Sequence, residues 1–202
     1  MSEQILEHLF DSPVKVKLLK LFLRNPDRYF SLDEIISKTQ ADSRLVRRQV
    51  KNLEGIHLLK FKKVKTDRKK NIKGGIYFAV NQNFVFFNEL RTLVLKSSPA
   101  SKEKMLKKII KLGRIRLALI SGILLDFESA GRVDLFVVGD DIKENKLRKF
   151  LEEMEAEMGK EIQYASMETK EFEYRFHMFD RFVHDILEKP HEKLINKIRF
   201  IE

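Results

Sequence analysis

Cysteine does not occur in the 202-residue sequence. Disulfides and thiolate metal sites are therefore excluded, and a reducing, cytoplasmic location is expected. No apolar run approaches the roughly 20 residues that a membrane-spanning helix requires, so no membrane partner is expected. The opening residues MSEQILEHLF carry neither a basic flank nor a small-residue cleavage site, and they do not read as a signal peptide. Internal repeats and low-complexity tracts are also missing. What remains is a chain with 43% hydrophobic and 35% charged residues. That balance suits a globular protein of one large domain or two small ones.

The net charge of +10 is unevenly placed. Residues 1–96 hold 20 Lys and Arg against 10 Asp and Glu, while residues 97–202 hold 20 of each. A basic half joined to a neutral half is the footprint of a domain that meets a polyanion. A solvated basic surface would have the same composition, so the reading depends on where the cations fall.

Local signals place the elements. SPVKVKLLKLFLRNPD has apolar residues at helical spacing, with Pro13 in the first turn and Asn25-Pro26 as the stop. In SLDEIISKT, Ser31 and Glu34 form a capping box. Asp42 or Ser43 caps a third helix that runs to Leu53 and closes at Gly55. Two β-rich runs, 58–65 and 75–80, flank a basic, Gly-ended tip and read as a hairpin. Three helices followed by a hairpin make a winged helix. Residues 83–96 predict a further helix, with Phe84, Phe87, Leu90 and Val94 either at a dimer interface or packed inward. Ile5, Leu6, Leu9 and Phe10 are candidates for the same interface. KSSPAS at 96–101 reads as the linker, giving domains at 1–96 and 101–202. The second half predicts a helix over 101–112, strands at 115–121 and 132–138, and a helix over 143–158. A strand at 161–166 and one long helix over 169–187 follow. The expected class is α+β, a winged helix-turn-helix followed by a small α/β domain with a mixed sheet.

On a helical wheel the third helix is two-sided. Leu45, Val46, Gln49, Val50 and Leu53 fall on one side, and Arg44, Arg47, Arg48 and Lys51 on the other. Such a helix fits the major groove of duplex DNA, where Arg pairs with guanine and Lys meets phosphate. Ser43 and Asn52 are small polar candidates for further contacts. The wing adds Lys62, Lys63, Lys65, Arg68, Lys69, Lys70 and Lys73.

The first hundred residues resemble a bacterial and archaeal winged-helix family. The phrases carrying the resemblance are LFDSPVKVKLLKLFLRNPD (9–27), LVRRQVKNLEGIHLLK (45–60) and YFAVNQNFVFFNELRTLVLK (77–96). It implies a dimeric DNA-binding regulator of the ArsR and MarR type. Residues 115–139 look like the strand-loop-strand of a minimal nucleotidyltransferase domain, which such proteins often carry. The resemblance makes Gly122 the glycine of a Gly-Ser pair and Asp134 the second carboxylate of an Asp-x-Asp pair. Ile123 then stands where serine holds phosphate, and Arg132 where the first aspartate binds magnesium. The later strand offers only Glu161.

Two carboxylates two residues apart on a strand share a face and can hold a hard cation. Arg132 puts a permanent positive charge in that place and is expected to pair with Asp134. The motif therefore reads as catalytically impaired, with no metal and no cofactor expected, although Asp126 and Glu128 leave a rescued ligand set open. Asp140 and Asp141 are expected to cap the helix near Lys143. His177, Asp180 and His184 offer either a transition-metal set or a polar helix face. Phe172, Phe176, Phe179, Phe182, Val183 and Ile186 are expected in the core, with some left for a partner.

The expected function is transcription regulation by a dimer on duplex DNA. The second domain would serve dimerisation, a protein partner or a small ligand. Two other readings stand beside it: an active nucleotidyltransferase acting on protein, RNA or a small acceptor, and a toxin–antitoxin or RNA-binding module.

Overall fold

The computed structural model of the chain describes residues 2–65, 74–96, 102–125 and 133–201. The chain divides into two compact units, Met1–Ser98 with Glu155–Lys160, and Pro99–Met154 with Glu161–Glu202. The fold is mixed helix and sheet, of the α+β class.

The first unit begins with α1 (Ser2–Leu9) and α2 (Pro13–Arg24). Ser12 caps α2, its hydroxyl accepting from the Lys15 amide at 3.2 Å, and Pro13 takes the first helical position, where no amide is needed. A two-residue strand, β1 (Phe30–Ser31), leads into α3 (Leu32–Thr39). The capping box is complete: Glu34 N–H donates to Ser31 Oγ and Ser31 N–H to Glu34 Oε2. Next come α4 (Ser43–Gly55), β2 (Leu59–Val64), β3 (Gly75–Val80) and α5 (Phe87–Leu95). The antiparallel sheet has the order β1-β3-β2. Its core is built on α2, where Leu18, Leu19, Leu21, Phe22 and Leu23 are all buried. The rings of Phe22 and Phe30 meet edge to face at 5.8 Å. Burying one such ring contributes on the order of 1.5–3 kcal/mol.

Helix α5 starts at Phe87, four residues later than expected. Phe84, Phe87 and Leu90 pack on this core and Val94 is fully buried in it. These four side chains belong to the inward face. The outward apolar residues are Val85, Phe86 and Leu93, and on α1 they are Ile5 and Leu9. Leu6 is buried and Phe10 is partly buried.

The second unit carries α6 (Lys102–Ile109), β4 (Arg114–Ile120), a single 3₁₀ turn at Gly122–Leu125, β5 (Leu135–Asp140), α7 (Glu144–Met158, whose residues from Glu155 on are grouped with the first unit) and β6 (Tyr164–Met167). It ends with α8 (Thr169–His177), α9 (Arg181–Glu188) and β7 (Glu192–Asn196). The sheet order is β6-β5-β4-β7, with β5 and β6 parallel and the other pairs antiparallel, so the sheet is mixed. Leu117, Leu119, Phe136 and Val138 join one core with Phe172 and Val183. The alternating Ala118, Ile120, Leu135 and Val137 are buried too, so both faces of the central strands are covered.

Three expectations need correction. The helix expected over 169–187 is two helices. Phe179 turns left-handed at φ 54°, and Asp180 accepts from the amides of Phe182 and Val183, starting α9 afresh. Strand β7 is an added fourth strand. Asp140 accepts instead from the Thr169 amide at 3.3 Å, at the start of α8, and Asp141 pairs with Arg114 at 2.8 Å.

Candidate nucleic-acid interface and the Asp134 junction

Asp42 is the residue that caps α4. One carboxylate oxygen accepts from the amides of Arg44 and Leu45, at 3.0 and 3.1 Å. Val46, Gln49, Val50 and Leu53 form the buried stripe, at helical spacing. Leu45 was placed with them on the wheel, but it lies at the stripe's border and is 39% exposed. Gln49 Oε1 is buried without a hydrogen-bond partner.

The opposite face carries Ser43, Arg44, Arg47, Arg48, Lys51 and Asn52, all exposed. Among the described residues, none of the four cations has a carboxylate partner. Arg44 and Arg48, like Arg47 and Lys51, stand four residues apart, a spacing at which like charges destabilise a helix by a few tenths of a kcal/mol, roughly 0.2–0.5 per pair. The face therefore carries four uncompensated positive charges in one row.

In the hairpin, Lys62, Lys63 and Lys65 are exposed. Lys62 is partly engaged inside the protein, its ammonium lying 3.8 Å from the centroid of the Tyr29 ring. The register explains this contact. Lys62 faces Tyr77 across β2 and β3, and Tyr77 faces Ser31 across β3 and β1, which brings the chain near Tyr29 to the same sheet face. An aromatic just before a short strand was the only sequence signal for it. Arg68, Lys69, Lys70 and Lys73 lie outside the described residues.

The strand-loop-strand is held by Asp134. Its Oδ1 accepts from Ile123 N–H at 3.0 Å, and its Oδ2 from Gln163 N–H at 2.8 Å. Its own amide donates to Gln163 O at 2.6 Å, and its carbonyl accepts from Ser121 N–H at 2.8 Å. One residue thus ties the end of β4, the 3₁₀ turn and the chain entering β6. Gly122 permits this by adopting φ 52°, a left-handed conformation that other residues reach only with strain.

Ile123 is buried, with 7% of its surface exposed, so its side chain serves packing. The neighbouring Ser121 is also buried, and its hydroxyl donates to Pro190 O at 2.6 Å. Arg132, Asp126 and Glu128 lie outside the described residues, so the Arg132–Asp134 pair does as well. Glu161 is exposed and precedes β6, whose residues Tyr164–Met167 include no carboxylate.

His177, Asp180 and His184 do not share one helix. Asp180 is occupied as the α9 cap, and His184 Nε2 lies 3.2 Å from Phe176 O. The His184 ring stacks on Phe176 at 5.2 Å and on Phe179 at 5.5 Å. Phe179, expected in the core, is 81% exposed. Among the described residues no group of three or more His, Asp or Glu side chains is arranged to hold a metal ion, and no helix is long and apolar enough to cross a membrane.

No protein-family model, no curated protein and no solved structure matches the chain.

Proposed function

We infer that the first unit is a winged helix that binds duplex DNA, with α4 as the reading helix and the β2–β3 hairpin as the wing. The observation carrying this reading is the row of Arg44, Arg47, Arg48 and Lys51. All four are exposed and unpaired, on a helix whose other side is fixed in the core. A rigid rod of cations with small polar neighbours suits the major groove. Lys60, Lys63 and Lys65 on β2 and beyond it add phosphate contacts that carry no sequence information.

The protein acts as a homodimer in the cytoplasm, regulating transcription. Support for the dimer comes from the outward Ile5, Leu9, Val85, Phe86 and Leu93. The second unit is a nucleotidyltransferase-like domain without transfer chemistry. Its order fits: β4, a glycine turn, antiparallel β5 preceded by Asp134, α7 and then parallel β6. The acidic pair that would bind magnesium is reduced to one carboxylate, and that one already accepts two backbone hydrogen bonds.

Selection from a random pool of duplex DNA tests the reading. The expected result is enrichment of a two-fold site, with log K falling against log salt at a slope of about −5 to −7 if six to eight cations meet phosphate. Failure to retain any duplex in dilute buffer overturns it, as does stronger retention of structured RNA. Transfer of label from ATP and magnesium, lost on Asp134→Ala, would overturn the assignment of the second unit.

A further inference from the structure

Three cations gather in the second unit at the end of the sheet away from Asp134. Strand β4 pairs with β5 from Arg114 opposite Asp140 to Ile120 opposite Leu135, so Asp134 belongs to one end and Arg116 to the other. There, a cleft of about 310 Å³ is lined by Arg116, Lys197, Arg199, Thr169, Glu173 and Phe200. Arg116, Lys197 and Arg199 are exposed, and among the described residues none has a carboxylate partner. Among the described residues Glu173 is the one acid lining the cleft, and the Asp140 carboxylate lies beside it on the Thr169 amide, so three cations face two carboxylates.

The cleft also offers donors. Thr169, the first residue of α8, lines the cleft, but its hydroxyl is turned away from solvent and is not among the donors. Its amide is taken by Asp140, but Glu168 supplies no side-chain cap, so the next amides of the first turn remain to be satisfied. Phe200 forms an apolar wall. One side of its ring rests against Phe172 at 6.4 Å and Phe176 at 4.9 Å, and 38% of the residue is exposed.

We propose that this cleft binds a phosphate monoester attached to a planar ring, of the size of a nucleoside monophosphate. Arg116 and Arg199 hold the phosphate, with Lys197 as a third charge and the open first-turn amides of α8 as neutral donors. Phe200 receives the ring. Guanidinium groups suit this role because their fork of N–H donors matches phosphate oxygens. The volume is at the lower end of the range for small-molecule sites, enough for a phosphate and one ring. The proposal does not depend on DNA binding by the first unit, nor on transfer chemistry at Asp134.

Isothermal titration of the full chain with adenosine 5′-monophosphate, inorganic phosphate and adenosine tests it. The monophosphate is expected to bind at submillimolar concentration, with phosphate weaker and adenosine weakest. The double variant Arg116→Ala/Arg199→Ala should weaken the monophosphate at least about tenfold, since each charge-assisted bond contributes on that scale. Phe200→Leu should weaken the monophosphate about three- to tenfold and leave phosphate unchanged, as expected for loss of ring stacking. Lys107→Ala, an exposed cation on α6 away from the cleft, should bind like the parent. The arginines are exposed, so the variants should keep the parent melting temperature, and Lys197→Ala gives a second, single-residue check.

Absence of binding for both phosphate and the monophosphate at millimolar concentration overturns the site. So does a double variant that binds like the parent. Equal affinity for phosphate and the monophosphate removes the ring contact from the proposal.

Discussion

A Cβ added at Gly122 would overlap Oδ1 of Asp134. The oxygen sits that close because it is bonded to the next amide along, that of Ile123. Positive φ and the carboxylate therefore fix each other. Gly122→Ala combines backbone strain with loss of that bond and should destabilise the second unit by about 2–3 kcal/mol. Urea denaturation followed by circular dichroism measures it. A change under about 0.5 kcal/mol, the level of an ordinary surface substitution, would contradict the described geometry.

Asp134→Asn keeps the shape but turns one acceptor into a donor facing a backbone amide. The expected cost is about 1–3 kcal/mol. Magnesium should leave the melting temperature of the parent unchanged, because a ligand that binds only the folded state raises it. A rise with magnesium that disappears in the variant would make Asp134 a metal ligand.

The proposed reading helix and wing should respond differently. Arg47→Ala or Arg48→Ala is expected to weaken a selected DNA site by about 1–3 kcal/mol and to blur its sequence preference. Lys63→Ala should weaken all duplexes alike and make the salt slope shallower by about one. Fluorescence anisotropy at several salt concentrations separates the two. Identical behaviour would remove α4 from the role of reader.

Loss of the α4 cap gives a stability measurement that does not involve DNA. Asp42→Ala leaves two first-turn amides without their acceptor and should cost about 1 kcal/mol. Asp42→Ser should restore most of it.

The dimer proposal places its weight on Phe86 and Leu93, which are 60% and 45% exposed. The double change Phe86→Glu/Leu93→Glu should yield monomers in sedimentation equilibrium without lowering stability. Dimers of undiminished strength would move the interface elsewhere.

The features legible in the sequence were local. Pro13 in the first turn of α2, the Ser31–Glu34 box and the cap of α4 act within four residues of chain, and each formed as expected. The inward face of α4 was legible because its stripe repeats every three to four residues. Leu45 failed only at the border, where a wheel cannot tell half-buried from buried. The break at Phe179 was hidden for a related reason. Phe172, Phe176, Phe179 and Val183 keep helical spacing through the turn, so periodicity alone runs the two helices together. Strand β7 was hidden because EKLIN is short, charged at its start and close to Pro190, and only pairing with β4 makes it a strand. The cleft beside Phe200 joins β4, α8 and the residues after β7. Arg116 is more than 80 positions from Lys197 and Arg199 in the chain, and no spacing rule relates it to them.

Among the described residues the first sheet leaves one side of β2 unpaired, since the order β1-β3-β2 ends there. That free margin carries Lys60, Lys62 and Lys63, with Lys65 just beyond. A second copy seeking to extend the sheet would set lysine against lysine, so the strand is guarded against fibril-like growth. The proposed helical dimer face would leave this margin open, and Lys60, Lys63 and Lys65 stay exposed there, able to repel another strand and to attract a polyanion.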